Sequence, residues 1–103
     1  MFVFDVYSFS KKIICLQVDR NEEFLPLKNA LPSLVDSPHS CRRGISNLHK
    51  KWILSSGGSF LNDSEEFDCE ISPLLSYFGE GLESLVKGKK FSLPLHLKES
   101  SDK

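Results

Sequence analysis

Four apolar residues, Cys41, Ile45, Leu48 and Trp52, recur at intervals of four, three and four and draw one stripe along a helix. The punctuation around them agrees. Asp36 or Ser37 offers a side-chain cap, Pro38 fits the first helical position, and Gly57-Gly58 supplies a left-handed stop. Arg42, Arg43, Lys50 and Lys51 fall mostly off the stripe, so they are expected to face solvent. Residues 2–11 (FVFDVYSFSK) place Phe2, Val6 and Phe9 at helical spacing, while Phe2, Phe4 and Val6 also fit a strand. Ile13–Val18 (IICLQV) is apolar and rich in β-branched residues, which predicts a short buried strand. Asn21–Ala30 (NEEFLPLKNA) reads as an extended loop, because Pro26 biases Leu25 away from helix.

The second half alternates strands and turns. Cys69–Tyr77 predicts a strand interrupted at Pro73, and Phe91–Leu97 a last strand broken by Pro94. Gly79-Glu80-Gly81 and the stretch around Gly88 predict turns. Residues 59–68 read as a polar loop and 99–103 as a solvated tail. The fold class expected is α+β, with helices packed on a small mixed sheet.

Composition narrows the setting. A chain of 103 residues with 40% hydrophobic and 26% charged residues is globular in character and no larger than one small domain. A formal net charge of −1 argues against a general nucleic-acid binder. No run approaches the ~20 apolar residues of a membrane span. MFVFD lacks the pattern of a signal peptide, and three cysteines at unrelated spacings fit reduced thiols, so the expected location is cytoplasmic. Asn62-Asp63-Ser64 matches a glycosylation acceptor but reads as an ordinary loop in that setting.

Most candidate chemistry dissolves on inspection. Ser55–Ser59 (SSGGS) has a phosphate loop's composition, yet its glycines follow a helix, whereas an anion site needs them before one. His39, Cys41 and His49 do not converge on one helix face, and no C-x-x-C accompanies them, so no metal site is expected. Glu22 and Glu23 point to opposite faces of an extended segment. Lys28 stands out. Phe24, Leu25 and Leu27 can anchor its backbone and Pro26 stiffens it, so its ammonium is positioned at lower entropic cost. Either Phe2 or Phe4 could be core or could line a sugar pocket.

FVFDVYSFSKK (2–12), EEFLPLKNA (22–30), LHKKW with its following Gly-Gly (48–58) and CEISPLLSYFGEGLE (69–83) together cover nearly the whole chain. In that order they resemble the C-terminal part of the eukaryotic UDP-N-acetylhexosamine pyrophosphorylases. The resemblance implies a uridylyltransferase that forms UDP-N-acetylhexosamine and pyrophosphate from UTP and N-acetylhexosamine 1-phosphate, with Mg²⁺. It implies that residues 1–35 end a Rossmann-like catalytic domain and 36–98 form a helix and C-terminal β region. By the same resemblance Lys28 is a catalytic, phosphate-contacting lysine, and Phe2 and Phe4 line the sugar and N-acetyl pocket. The family's glycine-rich UTP loop and its metal ligands have no counterpart here. A fragment inactive alone and prone to self-associate is therefore expected. The alternative is a truncated, non-catalytic remnant that acts as a protein-interaction module.

Overall fold

A computed structural model describes residues 2–62 and 68–99. Its element order is a 3₁₀-helix (Val3–Phe9), α1 (Arg20–Glu23), α2 (Pro38–Ser55), β1 (Ser59–Phe60), β2 (Cys69–Ile71), α3 (Glu83–Val86), β3 (Lys90–Phe91) and β4 (Leu95–Leu97). Residues 63–67 of the expected polar loop, with Asp63 and Ser64 of the glycosylation-like tripeptide, lie outside the described residues, as does 100–103 of the tail.

Helix α2 forms where its caps predict. Ser37 is the N-cap, its hydroxyl accepting the Ser40 N–H at 3.3 Å while Ser40 Oγ accepts the Ser37 N–H at 2.9 Å. Such a cap stabilises a helix by about 1 kcal/mol. At the other end Gly58 N–H donates to Ile53 O at 2.9 Å and Gly57 N–H to Leu54 O at 3.2 Å, with Gly57 at φ 96°. That pair of bonds is a Schellman closure, which needs the left-handed residue that glycine supplies.

The buried face of α2 differs from the predicted stripe. Ile45 is 46% exposed, and the residues turned to β2 are Ser46, His49, Lys50 and Ile53, about a third of a turn away. Three of the four are polar, which hid them from a hydrophobic pattern. Ser46 and His49 face inward because β2 presents backbone N–H groups that want acceptors. Ser46 Oγ accepts the Cys69 N–H at 3.1 Å, and His49 Nδ1 accepts the Ile71 N–H at 3.0 Å. Lys50 Nζ lies 2.9 Å from Asp68 Oδ1, with the two side chains only 12% and 14% exposed. The expectation of a solvent-facing Lys50 is thus overturned. Lys51 does face out, pairing with Glu22 on α1.

β1 pairs with β3 and β2 with β4, both in parallel, so two small parallel ladders replace the expected mixed sheet. The connection from β2 to β3, carrying α3, returns the chain beside its starting strands in the same direction, as parallel pairing requires. Ile53, Cys69, Ile71, Leu82 and Val86 form the core, with Trp52, Phe60, Phe91 and Leu95 packed against it. The strand predicted over Cys69–Tyr77 stops at Ile71. After it Ser76, buried, accepts the Gly79 N–H at 3.0 Å and opens the predicted glycine turn. Gly79, at φ 97°, lies against the Trp52 ring, where a Cβ would come within 2.9 Å of Cγ.

Glu80 closes that turn. Its carboxylate accepts the Tyr77 N–H at 2.9 Å and the Phe78 N–H at 2.8 Å. Those bonds hold its pKa down to about 2 from an ordinary 4.5. A carboxylate depressed in the folded state adds stability that is complete above its unfolded pKa and lost as pH falls through the folded one. Thermal unfolding followed from pH 5 to pH 2 should therefore fall less steeply for Glu80→Gln than for the unsubstituted chain. Parallel curves would show that the carboxylate contributes nothing to the turn.

The N-terminal third is the largest departure. The 3₁₀-helix confirms the helical alternative for residues 2–11, with the Phe2 N–H donating to Asp5 Oδ2 at 2.9 Å. Ile13–Val18, expected as a buried strand, has no strand partner among the described residues, and Ile14 and Leu16 are 82% and 87% exposed. Burial needs a covering surface, and among the described residues Ile14 and Leu16 find almost none.

Candidate functional site: the lysine loop at the start of α2

The loop carrying Lys28 is built from its two ends. Asp19 caps α1 by accepting the Asn21 N–H at 2.9 Å, and Arg20 lies 4.9 Å over the Phe24 ring. The chain then runs extended across α2. Leu25 covers Gly44 so closely that a Cβ there would meet its Cδ2 at 2.5 Å. The Cys41 thiol donates to the Pro26 carbonyl at 3.3 Å. From here the backbone makes a loop and returns to the N-terminus of α2. Lys28 N–H and Asn29 N–H both donate to the Asp36 carbonyl, at 2.7 and 2.9 Å.

Lys28 is thus held by its main chain, and its side chain is exposed. The flanking apolar residues expected to anchor its backbone do so only in part. Leu25 packs on the helix, while Leu27 is 62% exposed. A groove of about 430 Å³ opens beside the loop, between α1 and α2, lined by Asn21, Phe24, Leu25, Asp36, Asn47 and Lys51 among others. Lys28 does not line it. Phe2 and Phe4 are 81% and 72% exposed on the 3₁₀-helix, the Phe4 ring 5.8 Å from that of Tyr7, and they do not line the grooves on either side of α2. The structure therefore places the three sequence-picked residues on two separate exposed segments.

A second groove, about 380 Å³, lies between α2 and β2 and contains Arg42, His49, Glu70 and Tyr77. Desolvation lowers the His49 pKa, which suits a ring nitrogen that accepts the Ile71 N–H, and Glu70 opposes the shift. Burial pushes the Cys69 thiol up to about 11 against the pull of Lys50. Cys69 is therefore a protonated core group, unsuited to act as a nucleophile at neutral pH. His39, Cys41 and His49 engage separate partners, Arg43, the Pro26 carbonyl and the Ile71 amide. Among the described residues no three His, Cys, Asp or Glu side chains converge as metal ligands. Nor is any helix there long and apolar enough to cross a membrane.

Asn29, beside Lys28 in the NEEFLPLKNA stretch, and Asp36, offered above as a helix cap, are the residues that fix the loop. Asn29 and Asp36 act through side-chain amide and main-chain carbonyl, and neither announces itself by hydrophobic pattern. The NEEFLPLKNA motif contained the first of them, without showing what it would bind.

No family model matches the chain. Individual proteins do. A Dictyostelium discoideum protein named "Probable UDP-N-acetylglucosamine pyrophosphorylase" is 48% identical over 100 residues, covering 96% of this chain and 20% of that protein. The Homo sapiens UDP-N-acetylhexosamine pyrophosphorylase-like protein 1 is 43% identical over 113 residues, covering 95% of this chain and 22% of its own length. A crystal structure of an Entamoeba histolytica protein, assigned as a UDP-N-acetylglucosamine pyrophosphorylase, superposes with a TM-score of 0.80 at 33% identity. That match covers 94% of this chain and 24% of the other. These matches are all to proteins named for UDP-N-acetylglucosamine or UDP-N-acetylhexosamine pyrophosphorylase. The chain is homologous to one segment of the UDP-N-acetylglucosamine and UDP-N-acetylhexosamine pyrophosphorylases, and it spans about a fifth of the length of the curated relatives it matches.

Proposed function

We propose that this chain supplies phosphate and sugar contacts to a uridylyltransferase that forms UDP-N-acetylhexosamine from UTP and N-acetylhexosamine 1-phosphate. A phosphate oxygen of the sugar phosphate attacks the α-phosphorus of UTP, and pyrophosphate leaves. Such transfers depend on charge placed around the phosphates more than on covalent help from the protein. Lys28, on its anchored loop, is the group placed for the diphosphate, while Phe2 and Phe4 offer ring faces to the sugar and its acetyl methyl. The observation that carries this reading is similarity to named pyrophosphorylases along almost the whole chain, the lysine loop included. Mg²⁺ belongs to the proposed reaction as a charge partner for the phosphates. Its protein ligands are proposed to lie elsewhere in the enzyme.

The reading also accounts for the open N-terminal third. Ile13–Val18 is apolar on both faces, the pattern of a strand covered on both sides within a larger α/β domain. Such a domain is proposed to cover Phe2, Phe4 and Phe9 as well. Without it, exposed apolar residues from Phe2 to Val18 make a surface expected to exceed the few hundred Å² that monomers usually tolerate. In sedimentation the 103-residue chain should associate increasingly with concentration. A monomer at high concentration would count against a covering partner.

The function is tested by exchange. Residues 2–99 would replace the matching segment of the Dictyostelium relative, and pyrophosphate release would be measured with UTP, Mg²⁺ and N-acetylglucosamine 1-phosphate. Turnover by the chimera, and none by the 103-residue chain alone, is the expected result. A folded but inactive chimera would favour the second reading, a non-catalytic module whose exposed apolar arm binds another protein.

A further inference from the structure

We propose that Asn29 is the positioning residue for Lys28, an inference that rests on the phosphate-contacting role given to Lys28 above. Asn29 ties two consecutive carbonyls on the far side of the loop. Its Nδ2 donates to Val35 O at 2.9 Å and its own N–H to Asp36 O at 2.9 Å. The Asp36 carbonyl accepts the Lys28 N–H as well, at 2.7 Å, so both lone pairs of one oxygen are used by adjacent residues. Asp36 turns to φ 49° immediately before the buried helix cap Ser37, a conformation that aspartate tolerates better than most residues.

The consequence is a rigid path from the lysine to the fold. On its N-terminal side Lys28 is fixed by Leu25 on Gly44 and by the Cys41 thiol on the Pro26 carbonyl. On its C-terminal side the Asn29 side chain is the one that crosses from its immediate neighbours to residues 35–36, among the described residues. Without that amide the Val35 carbonyl keeps only the Ser33 hydroxyl, at 3.0 Å, and the exposed backbone bonds of Lys28 and Asn29 compete with water unaided. Among the described residues no side-chain hydrogen bond or ion pair holds the Lys28 ammonium in place, so its aim depends on where its main chain is held. A displacement of about 1 Å at a phosphate contact can cost on the order of 100-fold in rate.

The test is a double-mutant cycle in the active chimera, with kcat/KM measured for Lys28→Ala, Asn29→Ala and both together. Asn29→Ala should lower kcat/KM by about 10- to 100-fold when Lys28 is present, and by less than about 2-fold in the Lys28→Ala background. Equal losses in the two backgrounds would mean a general structural role and overturn the inference, as would a silent Asn29→Ala beside a damaging Lys28→Ala. A silent Lys28→Ala would instead overturn the reading of Lys28, and this inference with it. Should Asn29→Ala fail to accumulate, amide exchange in the unsubstituted chimera decides. Protected Lys28 and Asn29 amides support the clamp, and amides that exchange as fast as an unstructured loop overturn it.

Discussion

Replacing Lys28 by alanine in a pyrophosphorylase that carries this segment is expected to lower kcat/KM by roughly two to three orders of magnitude, the loss of one preorganised electrostatic stabiliser. The magnitude follows from how the charge is presented. A mobile surface ammonium gains little from an anion, because water screens it and ordering its long side chain costs entropy. Lys28 starts from a main chain that is already fixed, by the Asp36 carbonyl on one side and the helix-bound Leu25-Pro26 on the other. Binding of the substrates would then remove water from a charge whose backbone needs no reordering, and there the same charge pair is worth several times more. Lys89→Ala is the matched control, since Lys89 sits exposed in the turn after α3. It should change kcat/KM by less than about 2-fold, as isolated surface charges do. Equal losses from the two substitutions would reduce Lys28 to an ordinary loop lysine.

How far the sequence disclosed this arrangement depended on whether the deciding interaction was local. Helix α2 was legible from Ser37, Pro38 and Gly57-Gly58, because caps and breakers act within a few residues. Gly79-Glu80-Gly81 was legible for the same reason, although the carboxylate that closes the turn was not singled out. The orientation of α2 was not legible. Its buried face carries Ser46, His49 and Lys50, whose partners on and beside β2 lie some 18 to 23 residues away in the chain. No hydrophobic period marks a face that is buried for its hydrogen bonds. Ile13–Val18 failed differently. Its apolar character was read correctly, but strand formation needs a neighbour, and none of the described residues is one. Lys28 was reachable through its flanking motif, and its mechanical anchor was visible only in three dimensions.

Lys50→Ala should cost the fold about 3 kcal/mol, far more than Lys51→Ala one residue on. Sequence pattern puts both lysines on the wet side of α2, so the two substitutions look alike on paper. The structure separates them. Lys51 meets Glu22 with half of each side chain in water, where an ion pair contributes little. Lys50 meets Asp68 with both side chains mostly covered, immediately beside the Ser46 bond to Cys69 that docks β2 on the helix. Removing Lys50 takes away the cation 2.9 Å from the mostly covered Asp68 carboxylate, and breaking such a pair from one side costs far more than the pair is worth. Denaturant unfolding of dilute chain, followed by the fluorescence of Trp52, would read the difference, because Trp52 is the single tryptophan and packs against the core. The double substitution Lys50→Met with Asp68→Leu should recover most of the loss, since it removes both charges and keeps the volume. If Lys50→Ala proved no worse than Lys51→Ala, the pair would be solvated in solution, and the docking of β2 on α2 would rest on Ser46 and His49 alone.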